Sequence, residues 1–299
     1  MRKVYTIGET VYDIIFRNFE PVSANPGGAM LNTAISLGRL NIPVYFISEF
    51  ANDTVGCVTD KFLITNKVST EYVYRYKNGK SAISLAFLDE NKNAEYSFYK
   101  FYPDKRLNIK FPKINKDDIV LFGSFYSLTK EVRRPLTEFI SAAKEKNAII
   151  IYDPNIREPH KKELPEYLDF IYENISFADI VRASDEDFNV IFDISNPDDA
   201  YKLISSNNCR NLIYTAGASE VNLQTSDYSK QYAVPKISPV STIGAGDNFN
   251  AGIIFSILKN NIKKEDINCI EAKQWDKIIN SGIKFGTNVC LSLENYISF

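Results

Sequence analysis

The chain has 299 residues, 44% of them hydrophobic, enough to bury a sizeable core and to exclude a disordered polypeptide. Its 35 basic and 37 acidic residues are interspersed and leave a formal net charge of −2, which argues against nucleic acid or an anionic membrane as a partner. A single histidine, His160, and four scattered cysteines exclude multi-histidine metal sites, zinc ribbons and a disulfide framework, so any metal is expected on oxygen ligands, which suits Mg²⁺.

The opening run MRKVYTIGETVYDIIF is interrupted by polar residues and has no small-residue cleavage site, so no signal peptide is expected. No run of about 18 apolar residues occurs either, and a cytoplasmic location follows as the expectation. In a reducing compartment Cys57, Cys209, Cys269 and Cys290 read as buried small hydrophobes.

Short apolar runs alternate with segments of helical period, the pattern of βαβ units and a mainly parallel sheet. Val4–Ile7 is the first strand. Behind it, in Gly8-Glu9-Thr10-Val11-Tyr12-Asp13, the Asp13 carboxylate can accept two hydroxyl hydrogen bonds, as sugar recognition requires, although an aspartate after a strand is also ordinary turn chemistry. Asn25-Pro26-Gly27-Gly28 opens a helix predicted over Met30–Leu40, and Asn32, one turn in, offers donor and acceptor to a hydroxyl-rich ligand. Val44–Ile47 is the next strand. Ile83–Phe87 and Tyr96–Tyr99, separated by the polar turn Asp89 to Asn93, read as a hairpin. With Tyr12–Phe16 and Tyr72–Tyr76 they form a small separate sheet able to act as a lid, or else they extend the main sheet edge. Lys105 to Lys116 is expected to be a solvated basic face.

Ile119–Phe122 is followed by a helix whose apolar face is Val132, Leu136, Phe139, Ile140 and Ala143, with Thr129 as its cap. After the strand Ala148–Tyr152 come Asp153-Pro154-Asn155-Ile156-Arg157, whose Asp153, Asn155 and Arg157 can converge on a polar ligand or phosphate. His160 lies beside Pro159 in a charged, loop-like run, so no histidine-based nucleophilic mechanism is expected. Ile180–Val181 leads into Arg182-Ala183-Ser184-Asp185-Glu186-Asp187, whose acids either organise Mg²⁺ through water or cap a helix. Leu212–Thr215 leads into Thr215-Ala216-Gly217, a hydroxyl and a glycine suited to nucleotide phosphates. A second strand pair is expected after Leu223, then helices around 245–259 and 271–292.

The richest segment is Ser241-Thr242-Ile243-Gly244-Ala245-Gly246-Asp247. Glycines at 244 and 246 let consecutive N–H groups converge at a helix N-terminus, where phosphate and the charge developing in phosphoryl transfer are favoured. Asp247 adds a proton acceptor in the first turn.

Taken in order, these features resemble the PfkB (ribokinase-like) family of carbohydrate kinases over nearly the whole chain. GGAMLNTAISLGRL at 27–40 resembles the first family signature and STIGAGDNFNAG at 241–252 the second; FISEFANDTVG at 46–56 resembles a further segment. DPNIR and RASDED are most similar to the fructokinase branch. The resemblance implies a ribokinase-like three-layer α/β/α domain over 1–299, with lid strands from about 10–17 and 72–100. It implies an ATP-dependent sugar kinase, fructose being the first candidate and 2-keto-3-deoxygluconate, ribose or a nucleoside the others. A catalytically weak sugar- or nucleotide-binding protein is the alternative of another class. By motif position, Asp247 is the implied base and the amides of Gly244, Ala245 and Gly246 the anion hole. Asp13, Gly28, Asn32 and Arg157 would hold the sugar; Thr215, Gly217, Ser184 and Asn288 would border the nucleotide; Asp187 would organise Mg²⁺ through water. Ser241 stands where the family usually has an aspartate that helps build a monovalent-cation site, so potassium activation does not carry over. Ser184 and Asp187 replace an asparagine and a glutamate, Glu220 a glycine, and Ser48 and Ala51 two glycines. A homodimer through the lid is the implied assembly.

Overall fold

The computed structural model describes residues 2–88 and 94–298. The first strand, β1 (Val4–Ile7), is fully buried and flows directly into β2 (Val11–Arg17) and β3 (Glu20–Gly27) before helix α1 (Ala29–Arg39). Then follow β4 (Val44–Ala51), α2 (Thr54–Thr65), β5 (Val68–Ser69), β6 (Val73–Tyr76), β7 (Lys80–Leu88) and β8 (Ala94–Phe101). Strands β9 (Ile119–Gly123), β10 (Ile149–Asp153), β11 (Ile180–Ser184) and β12 (Leu212–Ala216) alternate with α3 (Lys130–Glu145), α4 (Leu168–Phe177), α5 (Asp185–Phe192) and α6 (Pro197–Ser206). The chain closes with β13 (Glu220–Gln224), β14 (Ser229–Ala233), α7 (Ala245–Lys259) and α8 (Ala272–Cys290).

The large sheet runs β14-β13-β12-β11-β10-β9-β1-β4-β5, with β6 continuing beside the far end of β4. Every pair from β12 through β4 is parallel, and β12, β13 and β14 pair antiparallel. Parallel strands covered on both faces must be apolar throughout. Alternate side chains duly enter two cores: Ile119, Leu121, Ile149 and Ile151 pack with α1, α7 and α8, whereas Val120, Phe122, Ile150 and Tyr152 pack with α3 to α6. This is a helix–sheet–helix sandwich. Strand order reverses at β1, which lies between β4 and β9, and ligands of open α/β sheets bind beyond the strand ends at such a point.

Beyond those ends stands a four-stranded sheet in the order β3-β2-β7-β8. Two expectations change here. Tyr72–Tyr76 does not join the small sheet: β6 pairs with Ser48–Ala51 of β4. Its place is taken by Glu20–Gly27, which pairs antiparallel with β2. The β7–β8 hairpin pairs as expected, and its turn Asp89 to Asn93 lies outside the described residues.

Three smaller expectations also need correction. Thr129 occupies the N-cap of α3 but its hydroxyl bonds back to the Phe125 carbonyl, so it caps no amide. Cys57 and Cys269 are exposed, and only Cys209 and Cys290 are buried. The basic stretch 105–116 is not all solvated: Arg106 turns inward to an ion pair with buried Glu49, 2.6 Å away.

Candidate active site

The site is built at the start of α7. Gly244, the N-cap, has φ 79°, and a Cβ there would lie 2.5 Å from the Asn295 carbonyl oxygen, so the turn needs glycine on both counts. Asn248 locks the same turn from behind, its Nδ2 donating to the carbonyls of Gly244 at 2.7 Å and Asn295 at 2.8 Å. First-turn amides of a helix have no intrahelical acceptor and attract anions. One of the three expected in the anion hole is occupied: the Ala245 amide donates to the Thr242 carbonyl at 3.3 Å, a long bond that an arriving anion would replace.

Asp247, in the first turn, is 7% exposed. Asn32 of α1 donates from Nδ2 to its Oδ2 at 2.8 Å, and the Thr33 hydroxyl donates to its carbonyl at 2.8 Å. Burial, reinforced by the charge of Asp153, pushes the Asp247 carboxyl up to about 6; the Asn32 hydrogen bond and the cations Arg157 and Arg182 oppose that rise. Such a group is ionised at neutral pH yet basic enough to accept a proton.

Asp247 and residues Gly244 to Gly246 form one wall of a cleft of about 690 Å³. Arg157, Arg182, Ser184, Asp187, Thr215 and Gly217 line its polar part, at the ends of β10 to β12. Val234, Ile237, Pro239, Ile283 and Cys290 line the remainder, an apolar slot suited to a flat ring. Asn288 is exposed and does not line the cleft; Thr287 and Cys290 of the same helix do.

Asp13, Gly28 and Asn32 lie outside that lining, on the side of α1 and the small sheet. Asn32 joins the two sides through Asp247. Its Oδ1 is buried with no partner among the described residues, an acceptor left for a ligand hydroxyl. Gly28 has φ 134°, and a Cβ there would lie 2.4 Å from the Glu9 carbonyl oxygen. The Ser84 hydroxyl donates to Asp13, whose carboxyl burial raises against the lowering by Ser84 and Arg157. Arg157 is exposed, its side chain makes no hydrogen bond or ion pair among the described residues, and its charge acts on both Asp13 and Asp247.

The acids after β11 serve the helix first. Ser184 and Asp187 form a reciprocal capping box, and the other Asp187 oxygen accepts the Ile156 amide at 2.7 Å. Burial, then repulsion from Asp153, pushes the Asp187 carboxyl up to about 6. Among the described residues no group of three or more acids, histidines or cysteines could hold a metal ion, so direct chelation by the protein does not fit this donor set.

Nor do Asp153 and Arg157 converge as their spacing suggested. Asp153 is fully buried and bonded to Arg182 and Asn250, away from the exposed Arg157. Arg182, Asn248 and Asn250 are the site residues that sequence reasoning left without a role. The available signals were an arginine inside the apolar strand IVRAS and asparagines on the buried face of a helix.

Residues 1–272 match the family model described as pfkB family carbohydrate kinase. The fructokinase of Vibrio alginolyticus is 25% identical over 277 residues, covering 92% of this chain and 90% of that protein. That of Rhizobium leguminosarum bv. trifolii is 30% identical over 269 residues, covering 85% and 79%. Among solved structures, fructokinase from Vibrio cholerae O395 in its fructose, ADP and calcium ion bound form has a TM-score of 0.82 at 19% identity, over 99% of this chain and 94% of that one. This likeness shows the ribokinase-like fold. With that fold, the two signatures meeting at the Asn32–Asp247 hydrogen bond and a family model matching residues 1–272, this chain belongs to the pfkB family of carbohydrate kinases.

Proposed function

We propose that the chain transfers the γ-phosphoryl group of ATP to the hydroxymethyl oxygen of fructose, forming fructose 6-phosphate. The observation that carries this reading is Asp247, which sits between the nucleotide-sized cleft and the Asn32–Asp13 side of the site. The named fructokinase relatives support fructose as the acceptor. Asp13, the backbone at Gly28 and the Asn32 side chain hold the sugar. Asp247 accepts the hydroxyl proton as the oxygen bonds to phosphorus and the bond from phosphorus to the bridging oxygen breaks, releasing ADP. Amides of Gly244, Ala245 and Gly246 take up the charge on the transferring group, positioning and electrostatics being the main contributions in such reactions. Thr215, Gly217 and Ser184 border the nucleotide. Asp187 would help hold Mg²⁺ through water, and the ion would supply neutralisation of phosphate charge. With Ser241 in place of a carboxylate, turnover is expected without added potassium. No helix among the described residues is long and apolar enough to cross a membrane, in keeping with a cytoplasmic enzyme.

The test is ADP release with ATP over a panel of sugars; absence of release with every sugar would refute the kinase. Arg157, with no partner of its own, favours a second reading in which the acceptor is an acid sugar such as 2-keto-3-deoxygluconate. Arg157→Ala separates the two. It should raise KM for fructose by only a few-fold, whereas loss of a charge-assisted pair with a carboxylate would cost roughly 10-fold or more for an acid sugar.

We also propose a homodimer through the small sheet, supported by the exposed apolar residues Phe19, Val22, Tyr99 and Phe101. Phe101→Glu should shift the sedimentation coefficient of the wild-type species to that of a 34.0 kDa monomer. A wild-type monomer at micromolar concentration would refute the assembly.

A further inference from the structure

Arg182 is the one charged residue of β11 and follows its two apolar residues Ile180 and Val181. It is 6% exposed, yet it lines the cleft. Its fork is divided between two neighbouring strands: Nη1 donates to Asp153 of β10 at 3.0 Å, and Nη2 donates to the Thr215 hydroxyl of β12 at 2.7 Å. Since β10, β11 and β12 are adjacent and parallel, one side chain ties together three strand ends.

The same guanidinium touches α7. A Cβ built on Gly246 would lie 2.8 Å from Nη1 and 3.1 Å from Nη2, so Gly246 leaves the room that the arginine fills. Phe249 covers the group, with its ring centroid 5.6 Å from Cζ. Asn250, one turn along α7, donates to the same Asp153 oxygen at 2.5 Å. The helix that carries the anion-binding turn is thus fastened to the sheet through an ionic pair. Packing alone does not call for one, because apolar side chains fill such a space at no loss of stability. A lysine would not do the same, since only the planar fork reaches two acceptors in one plane.

Resting on the kinase reading, we propose that Arg182 is a positioning residue for phosphoryl transfer: held by Asp153 and Thr215, it is the floor beneath Gly246 that fixes the anion-binding turn and keeps positive charge below the transferring group. The charged groups acting on Asp247 are Asp153, Arg157 and Arg182. Asp187 faces the same pair from α5. Without Arg182, Asp153 acts on Asp247 with less opposition, which favours the protonated base.

The experiment compares wild type, Arg182→Met and Arg182→Lys for kcat, both KM values, melting temperature and the pH dependence of kcat/KM. Arg182→Met should lose about 10²-fold in kcat, the scale of one lost transition-state donor, with KM for the sugar within about threefold of wild type. Its acid limb should move to higher pH. Arg182→Lys keeps the charge and loses the fork, so the limb should stay in place while kcat falls about 10-fold. A merely structural arginine would lower the melting temperature and leave the limb where it is. Arg182→Met with kcat within about threefold of wild type, or with an unmoved acid limb, overturns the inference. If that variant does not fold, wild-type kcat in Arg182→Lys overturns it. Wild-type protein inactive on every sugar defeats the kinase reading itself, whereas active wild type with indifferent Arg182 variants defeats only this inference.

Discussion

Asp247→Asn should abolish most sugar-dependent ADP release, lowering kcat by roughly 10³-fold while KM for ATP and sugar change little, because the lost group acts on a proton rather than on binding. The wild-type kcat/KM profile should fall below pH about 6, the value to which burial lifts this carboxyl. The same residue should behave in the opposite sense for stability. Its folded-state pKa of about 6 exceeds the ordinary value of 3.8, so the native state holds the proton more firmly, and stability falls as pH rises between those two values. Above both, the ionised group costs roughly 3 kcal/mol by the standard conversion of pKa shift to free energy. Asn keeps an oxygen for the Asn32 amide, so the variant should melt at or above the wild-type temperature at pH 8. Thermal melts and initial rates on one preparation check both halves. A folded variant that retains substantial kcat would remove Asp247 from the role of base.

Arg106→Met should be the most damaging change for the fold. Glu49 is 2% exposed and accepts from Arg106 Nε at 2.6 Å, the Leu107 amide at 2.8 Å and the Tyr126 hydroxyl at 3.2 Å. Tyr102 stacks on the guanidinium, its centroid 3.4 Å from Cζ, and donates to Glu9, which also pairs with Lys100 of β8. Removing one partner of a buried pair costs about 3–5 kcal/mol. For a chain of this size that is roughly a 10 °C fall in melting temperature. Burial raises the Glu49 carboxyl even with Arg106 present, and without it the carboxyl should stay protonated over a wider range. A folded-state pKa raised above the unfolded value makes stability fall with rising pH. The deficit should therefore be larger at pH 8 than at pH 5, as paired melts would show. A pH-independent deficit would mean that lost packing, not the stranded carboxylate, is responsible.

Much of the large sheet was readable because fully buried parallel strands are short apolar runs, and Val4–Ile7, Ile119–Gly123 and Leu212–Ala216 show that pattern plainly. Glu20–Gly27 escaped because EPVSANPG, with two prolines and mostly exposed side chains, carries no strand signal; pairing with β2 defines it. Tyr72–Tyr76 carried the signal of a strand without naming its partner, which only the tertiary course of β4 decides. At the site, glycine and aspartate in consecutive positions are local chemistry and could be read from residues 241–247. Arg182, Asp153 and Asn250 could not, since their meaning lies in contacts 29 and 97 positions apart. Asn288 shows a different limit: one residue along a helix turns the side chain by about 100°, so a motif position misjudged by one faces solvent.

The hydrogen bond between Asn32 and Asp247 closes a loop of 215 positions. Contacts of such sequence separation must meet their loop-closure entropy before they return any stabilisation, so they belong to the late stages of folding. A chain that has formed β1, β4 and α1 but not docked α7 would carry half a sugar site and no base. Recovery of turnover after dilution from denaturant should therefore lag behind recovery of helical circular dichroism, and the lag should shorten when sugar and nucleotide are present to capture the docked form.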